Sequence, residues 1–330
     1  MIKPASVMAR VSADPLGSSI PLPHRHVLFP YGLPVQIKSN DLSAIRIAED
    51  SWGSCHSRHQ ERPIEIRVVV SNCARRRKPP PPIFRAQGNL MTIVADAQNY
   101  ACCDLARGLG FAMLTPAAAR NREYLRYYFI EAMAYTMLDA LHLVIFHAAC
   151  TSFRGRGFVF VGDSGAGKSS LAYACAKSGW SYLSDDATAI LRRRPRNIAL
   201  GNPRTFRFRP AATELFPELN GPIRLRNLKP TMEIPVEALT GIRTSEVCPV
   251  HFILFLRRTK DRFASPTLLP IDRESALQRL FYQQLPEELE IAEERFRAIE
   301  ALLDGSQVFE FVYSDLESAI RMLQSLAGES

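Results

Sequence analysis

The stretch Gly157-Phe-Val-Phe-Val-Gly162-Asp163-Ser164-Gly165-Ala166-Gly167-Lys168-Ser169-Ser170-Leu-Ala sets an apolar strand, a glycine-rich turn and the opening of a helix in direct succession. Glycines at 162, 165 and 167 let the backbone curl so that successive N–H groups point inward, and a helix starting near Lys168 adds the positive end of its dipole. This is the pattern of a phosphate-binding loop, and it predicts a nucleotide contacting Gly162 through Ser170. Lys168 would meet the outer phosphates as a point charge. The Ser169 hydroxyl would complete the shell of a Mg²⁺ ion that keeps most of its waters.

Composition frames that reading. A chain of 330 residues that is 47% hydrophobic and 22% charged has room for one large or two modest domains with ordinary cores. Part of the net charge of +8 sits in Arg75-Arg76-Arg77-Lys78 and in Arg192-Arg193-Arg194-Pro195-Arg196. Neither run is interleaved with aromatics or set on a helical face, so solvated loops are expected and nucleic acid is not the expected partner. The seven cysteines are odd in number, include the adjacent pair Cys102-Cys103 and lack a disulfide framework, which fits a reducing interior. The first thirty residues lack the apolar core and cleavage site of a secretory signal. The apolar run from Phe129 to Cys150 carries Glu131, Asp139, His142 and His147, which argues against a membrane span. A cytoplasmic protein is expected, with no membrane partner.

Residues 1–120 read as a β-rich region. Ile64–Val70 and Leu90–Ala95 are strand candidates, separated by basic residues and Pro79–Pro82, which cannot join a ladder. Asn121 is placed to cap a long helix running through Tyr124, Tyr128, Met137 and Leu141 and leading into the nucleotide region, 121–330. There Leu143–Ala149, Gly157–Val161 and Trp180–Leu183 read as strands and Ser169–Ser178 as the helix after the loop. Val250–Leu256 and Val308–Val312 extend the sheet, while 275–284, 287–303 and 316–326 have helical spacing. The fold class is α/β. The Arg-, Pro- and Asn-rich stretch 191–235 is expected to lie over the nucleotide site as loops and short elements.

Two further features fall at informative distances from the loop. Seventeen positions after Lys168, the strand Ser181–Ser184 ends in Asp185-Asp186. Parallel strands that finish beside a phosphate loop bring terminal carboxylates to the outer phosphate and its metal. One aspartate would serve Mg²⁺ and the other would accept a hydroxyl proton. The assignment Asp185 as base and Asp186, with Ser169, as metal contact could be reversed. Fifteen positions before Gly162 stands His147, at the end of its own apolar run. Cys55, His56, His59 and Cys73 offer four metal-binding groups within twenty residues, but their spacing matches no zinc finger and scattered loop residues are the simpler reading.

His147, the loop Gly-Asp-Ser-Gly-Ala-Gly-Lys-Ser at 162–169 and Asp185-Asp186 together resemble the catalytic domain of the bacterial HPr kinase/phosphorylase family and its kinase-like relatives. The resemblance is strong over about 141–190 and weaker, in element rhythm only, over 191–330. It implies a P-loop kinase domain of HPr-kinase type, with ATP and Mg²⁺ as cofactors, preceded by a smaller β-rich α+β region that selects the substrate. It further implies a carboxylate of the Asp pair as base toward a seryl hydroxyl, with His147 close to the reacting phosphate. The chain departs from the family at Ser170, usually glutamate, and at Ser184, usually alanine. The later Leu-Glu-Ile-Arg-Gly-Leu-Gly signature associated with phosphorolysis is absent, and Gly201-Asn-Pro-Arg204-Thr-Phe-Arg207-Phe-Arg209 stands in its place. Arg204 is the candidate phosphate or substrate contact there. Relatives without that signature include kinases of precursor-peptide serines, so the implied partner is a peptide or small protein. The family also forms homo-oligomers. A small hydroxylated metabolite as acceptor, or a nucleotide-switched binding protein without transfer, are the alternative readings.

Overall fold

Alternating side chains build the first sheet: in Val35–Ser39 and the first half of Ile64–Val70 every second residue is buried, the period of a strand with one covered face. The structure is a computed structural model that describes residues 19–72, 79–193, 197–221, 231–259, 261, 264–282 and 289–328. Strands β1 (His24–Leu28), β2 (Val35–Ser39), β3 (Ile64–Val70), β4 (Ile83–Gln87), β5 (Leu90–Asp96), β6 (Asn99–Asp104) and β7 (Leu109–Leu114) form one sheet in the order β1-β2-β3-β7-β6-β5-β4. Its centre, β2-β3-β7, is parallel and its flanks are antiparallel. A parallel step needs a crossover. Helix α1 (Leu42–Trp52) supplies it between β2 and β3, with the Asp41 carboxylate accepting from the Ser43 N–H at 2.8 Å as its N-cap.

The chain then runs through α2 (Pro116–Arg120) and α3 (Arg122–Leu125), a π-type turn over Arg126–Glu131, and α4 (Ala132–Leu141). Asn121 caps α3 by accepting from the Tyr124 N–H at 3.3 Å. The single long helix expected from the spacing is thus interrupted, and the wide turn re-aims Arg126, Tyr127 and Glu131. Leu125, Phe129, Met133 and Met137 share one apolar core with Ile66, Val68 and Ile93. The segment expected to lead into the nucleotide region therefore packs on the first sheet. Periodicity reveals an apolar face and not the surface that covers it.

The second sheet takes β8 (Leu143–Phe146), β9 (Ala148–Phe153), β10 (Arg156–Val161), β11 (Ser181–Ser184), β12 (Thr188–Leu191), β13 (Ile198–Leu200), and, after the separate hairpin β14 (Thr205–Phe208) and β15 (Met232–Pro235), β16 (Arg243–Thr244), β17 (Val247–Arg258), β18 (Thr267–Pro270) and β19 (Gln307–Tyr313). Around its centre the order is β11-β9-β10-β17-β19, with β10, β17 and β19 mutually parallel. Helices α5 (Lys168–Lys177) and α9 (Leu316–Gly328) share an apolar core with one face of this sheet. On the other face lie α7 (Arg273–Phe281) and α8 (Leu289–Asp304), while the short α6 (Ala212–Leu215) sits beside the β14-β15 hairpin. Coverage on both faces explains why Phe252–Leu256 is an unbroken apolar run.

Two expectations are corrected here. The run Leu143–Ala149 is not one strand: β8 pairs with β12 and β9 pairs with β10 and β11, so the ladder changes partners and His147 falls in the joint. Strands β10 and β11 run in the same direction on either side of β9, which is antiparallel to both. The cause is the tight turn at Arg154 (φ 50°) and Gly155 (φ 80°), a left-handed pair that folds β9 straight back into β10. The basic run at 192–196 also differs from a solvated loop at its first residue. Arg192 is buried, paired with Glu294 at 2.9 Å and donating to the Leu141 carbonyl at 3.0 Å; residues 75–78 and 194–196 lie outside the described residues. No helix among the described residues is long and apolar enough to cross a membrane.

Trp180 fills the core between α5 and the second sheet, fully buried with its ring 4.9 Å from both Phe153 and Phe158. Trp180→Ala is expected to cost about 3–5 kcal/mol of unfolding free energy, read as a lower midpoint in urea; an unchanged midpoint would remove this residue from the core's support.

Candidate active site

Strand β10 delivers the chain to Gly162 and α5 receives it at Lys168. Between them the backbone takes positive φ at Gly165 (99°) and Gly167 (97°), conformations that residues with a Cβ rarely adopt. At Gly167 a Cβ would also lie 2.5 Å from the Tyr313 hydroxyl, which itself donates to the Ala166 carbonyl at 3.2 Å. The loop is thus shaped from below by the end of β19. Lys168 Nζ folds over it and donates to the carbonyls of Gly162 (2.5 Å) and Asp163 (3.3 Å). Burial lowers the Lys168 pKa, against the pull of Asp186 and Asp163 in the other direction. The Ser164 hydroxyl accepts from Arg209 at 2.8 Å, and Ser169 Oγ lies 3.5 Å from the Asp185 carbonyl.

The Asp pair follows β11, which runs in the same direction as β10 with β9 between them, so the acids and the loop share one end of the sheet. Their environments differ sharply. Asp185 is buried at 4% exposure, with one carboxylate oxygen 2.7 Å from the Arg207 N–H and the other 3.1 Å from the Tyr182 hydroxyl. Burial, helped by the charge of Asp186, pushes its pKa up to about 7 despite those hydrogen bonds. Asp186 is 36% exposed at its side chain. Burial also acts to raise its pKa, but His147 Nδ1 at 3.2 Å and the Arg207 guanidinium at 2.9 Å outweigh that effect and hold it well below the usual carboxylate range. The two neighbours are therefore pushed apart in proton affinity, the arrangement that separates acid–base and charge-holding roles.

Arg207 and Arg209 are the residues that spacing alone did not single out. Phe206 and Phe208 point into a core with Tyr173, so the alternation of β14 turns Arg207 to the opposite, acid-lined side. There Arg207 lies 3.6 Å from Glu131 and 3.7 Å from Glu233, and its guanidinium sits over the Tyr127 ring at 5.3 Å. Glu233 is fully buried and also pairs with Arg126 at 2.5 Å and with the Tyr127 hydroxyl. The alternating Phe-Arg-Phe-Arg pattern was the available signal. Arg204, by contrast, donates to the Glu49 carbonyl at 3.2 Å and lies away from the loop.

Two cavities meet at these groups. One, of about 710 Å³, is lined by Ser164, Gly165, Gly167, Lys168, Ser169, Ser170 and His147 together with Asp185, Asp186 and Arg207. It has the volume of a site for a whole cofactor. The other, of about 190 Å³, opens between the two sheets and shares Asp185, Asp186 and Arg207 as its wall. The glycine cradle, Lys168 and the amino end of α5 suit an anionic phosphate chain. Ser169 and the ionised Asp186 suit Mg²⁺, which takes one or two protein oxygens and fills its shell with water and phosphate. Among the described residues there is no group of three or more His, Cys, Asp or Glu side chains placed to hold a metal by themselves. His56 instead binds Glu246 at 2.6 Å and Cys55 faces Asn202 at 3.6 Å, while Cys73 lies outside the described residues.

No family model matches the chain, and no curated protein matches it. Among solved structures the chain is similar to the HPr(Ser) kinase/phosphatase from Coxiella burnetii, with 17% identity, a TM-score of 0.30, and coverage of 56% of this chain and 99% of that one.

A folded-state pKa near 7 at Asp185, against 3.8 for the free carboxyl, means that the folded protein binds this proton more tightly than the unfolded chain. Stability from this group is therefore present at low pH and lost as pH rises from about 4 to about 7. Asp186, held below the free value in the folded state, contributes in the opposite sense and mainly below about pH 5, where the unfolded carboxyl still takes up protons. Asp185→Asn should flatten the decline in melting temperature over this range, by the equivalent of a few kcal/mol. Parallel curves for the two proteins would contradict it.

Proposed function

We propose that the chain is a Mg²⁺- and ATP-dependent phosphotransferase of HPr-kinase type, moving the γ-phosphate to a seryl hydroxyl of a peptide or small protein. The observation that carries the reading is the convergence of Asp185, Asp186 and His147 on the cleft that holds Lys168 and Ser169. Mg²⁺, when bound, would neutralise charge on the phosphate chain. The protein's own groups supply the remainder. The loop N–H groups and Lys168 hold the donor, and exclusion of water makes their charges count for more. A seryl hydroxyl is a weak nucleophile at neutral pH, and a carboxylate that takes its proton is worth about 10²- to 10⁴-fold. Asp185, with a pKa of about 7, matches that task near its working pH, and the permanently ionised Asp186 matches the metal contact. His147 hydrogen-bonds Asp186 and borders the same cleft, where it orients that carboxylate next to the moving group.

The absence of the phosphorolysis signature favours a kinase in one direction only. Transfer of label from γ-labelled ATP into dephosphorylated extract, resolved for both proteins and small molecules, tests the reading directly. A labelled acceptor that appears with wild type and not with Asp185→Asn supports it. Nucleotide binding with no labelled acceptor would instead favour a nucleotide-switched binding protein.

Substitutions should separate binding from transfer. Lys168→Ala is expected to abolish tight MgATP binding by calorimetry, whereas His147→Ala and Asp185→Asn keep binding and lose about 10²-fold or more in transfer. Normal transfer by His147→Ala would remove that residue from the mechanism. Gly167→Ala combines the contact with Tyr313 and the positive φ, and should weaken ATP binding about tenfold or more; affinity equal to wild type would show that the loop tolerates a Cβ.

A further inference from the structure

The smaller cavity has no part in holding the donor, yet it ends on the same Asp185, Asp186 and Arg207 that border the nucleotide cleft. A transferred phosphoryl group needs its acceptor on the side away from the leaving group. A cavity that reaches the acids from the first sheet, while the loop reaches them from the second, offers that approach. Its volume of about 190 Å³ is a little above the ~150 Å³ that takes a benzene-sized guest. It admits one side chain or a molecule of that size.

Tyr31 adds an independent sign of function. It is a buried tyrosine with φ 54°, a conformation disfavoured for a bulky residue, and it sits in the wall of this cavity. Strained residues of this kind collect at ligand sites. Its hydroxyl is close enough to feel the charges of Arg207 and Asp186.

The wall carries acids as well as arginines, with the exposed Glu237 at its edge, and the pairing of the arginines indicates where a guest's charge can be met. Arg126 is neutralised by Glu131 and Glu233, Arg122 by Asp50 at 2.8 Å, and Arg207 by Asp186. Arg204 is different: among the described residues its guanidinium meets only the Glu49 carbonyl, at the end of α1, and no carboxylate. That bond fixes the guanidinium while leaving other donors of its fork for a ligand.

We propose that this cavity is the acceptor pocket and that it selects a seryl hydroxyl accompanied by a nearby carboxylate, the carboxylate on Arg204 and the hydroxyl against the Asp185–Asp186 pair. The assignment rests on the phosphotransferase reading above. In the transfer the seryl oxygen forms a bond to the γ-phosphorus, the bond from that phosphorus to the β–γ bridging oxygen breaks, ADP leaves, and the seryl proton passes to a carboxylate of the pair. The carboxylate has two sources: an acidic residue beside the serine of a peptide, or a free hydroxy amino acid.

The test uses the full chain, γ-labelled ATP, free L-serine, and single-serine peptides carrying Asp, Asn or Lys at each position within three residues of the serine. Preference for Asp over Asn at one position identifies a peptide acceptor, and labelling of free serine identifies the small one; either supports the pocket. For the preferred acceptor, Arg204→Gln should raise KM at least tenfold with kcat and MgATP affinity unchanged. Arg204→Glu should shift the peptide preference from Asp to Lys. Transfer without acid preference, or an Arg204→Gln enzyme with unaltered KM, overturns the proposal. Transfer to none of these probes overturns it as well. The broader phosphotransferase reading is judged separately, from label entering the dephosphorylated extract.

Discussion

The guanidinium of Arg207 is the constraint on which the site depends. It belongs to β14, which follows the Asp pair in the chain, yet its partners come from three other places: Glu131 from the wide turn before α4, Glu233 from β15 and Asp186 after β11. Its own backbone N–H holds Asp185. Arg207 is itself partly buried, but Glu233 beside it is fully so; a buried charge persists only where opposite charges surround it, and removing one partner of such a pair costs about 3–5 kcal/mol because the other is left uncompensated. The two sheets are therefore coupled through a small set of charges whose positions are mutually dependent.

That coupling gives the neighbouring aspartates different characters. Asp185 is satisfied by a backbone donor and a tyrosine hydroxyl and gains no full counter-charge, so burial prevails and its proton is held to about pH 7. Asp186 takes the Arg207 guanidinium and His147, so it stays ionised. Chemistry that needs one proton acceptor and one fixed negative charge is thereby separated by a single peptide unit. Arg126, Glu131, Glu233 and Tyr127 surround Arg207 and lock its orientation without needing to touch any ligand.

The placement of the cavities follows from topology. β10 and β11 run in the same direction on either side of β9, so the glycine-rich loop and the Asp pair emerge from the same sheet end. The first sheet, with α3, α4 and the turn between them, approaches that end from outside and closes the smaller cavity with Tyr31, Ser51 and Tyr135. Trp52 and Asn202 both reach the Tyr135 hydroxyl, at 2.9 and 3.5 Å, which braces this wall from both halves of the chain.

Local chemistry made the centre of the site legible in the sequence. The glycine positions before Lys168, the apolar run of β10 and the ending of β11 in Asp185-Asp186 are written in short runs of residues, because a tight glycine-rich turn between a strand and a helix is specified locally. The strands and helices of the second half were legible for the same reason, since periods of two and of 3.6 report burial directly. Partnership was not. That His147 lies in the joint between two strands, that Arg192 is buried against α8, and that the helix after Asn121 covers the first sheet depend on which surfaces meet. The sequence alone determined the loop, the acids and the α/β rhythm, all set by interactions within a few residues. Only the tertiary structure decided that Arg207 binds Asp186 and that Arg204 faces a second cavity, because those positions are fixed by groups brought together from distant parts of the chain.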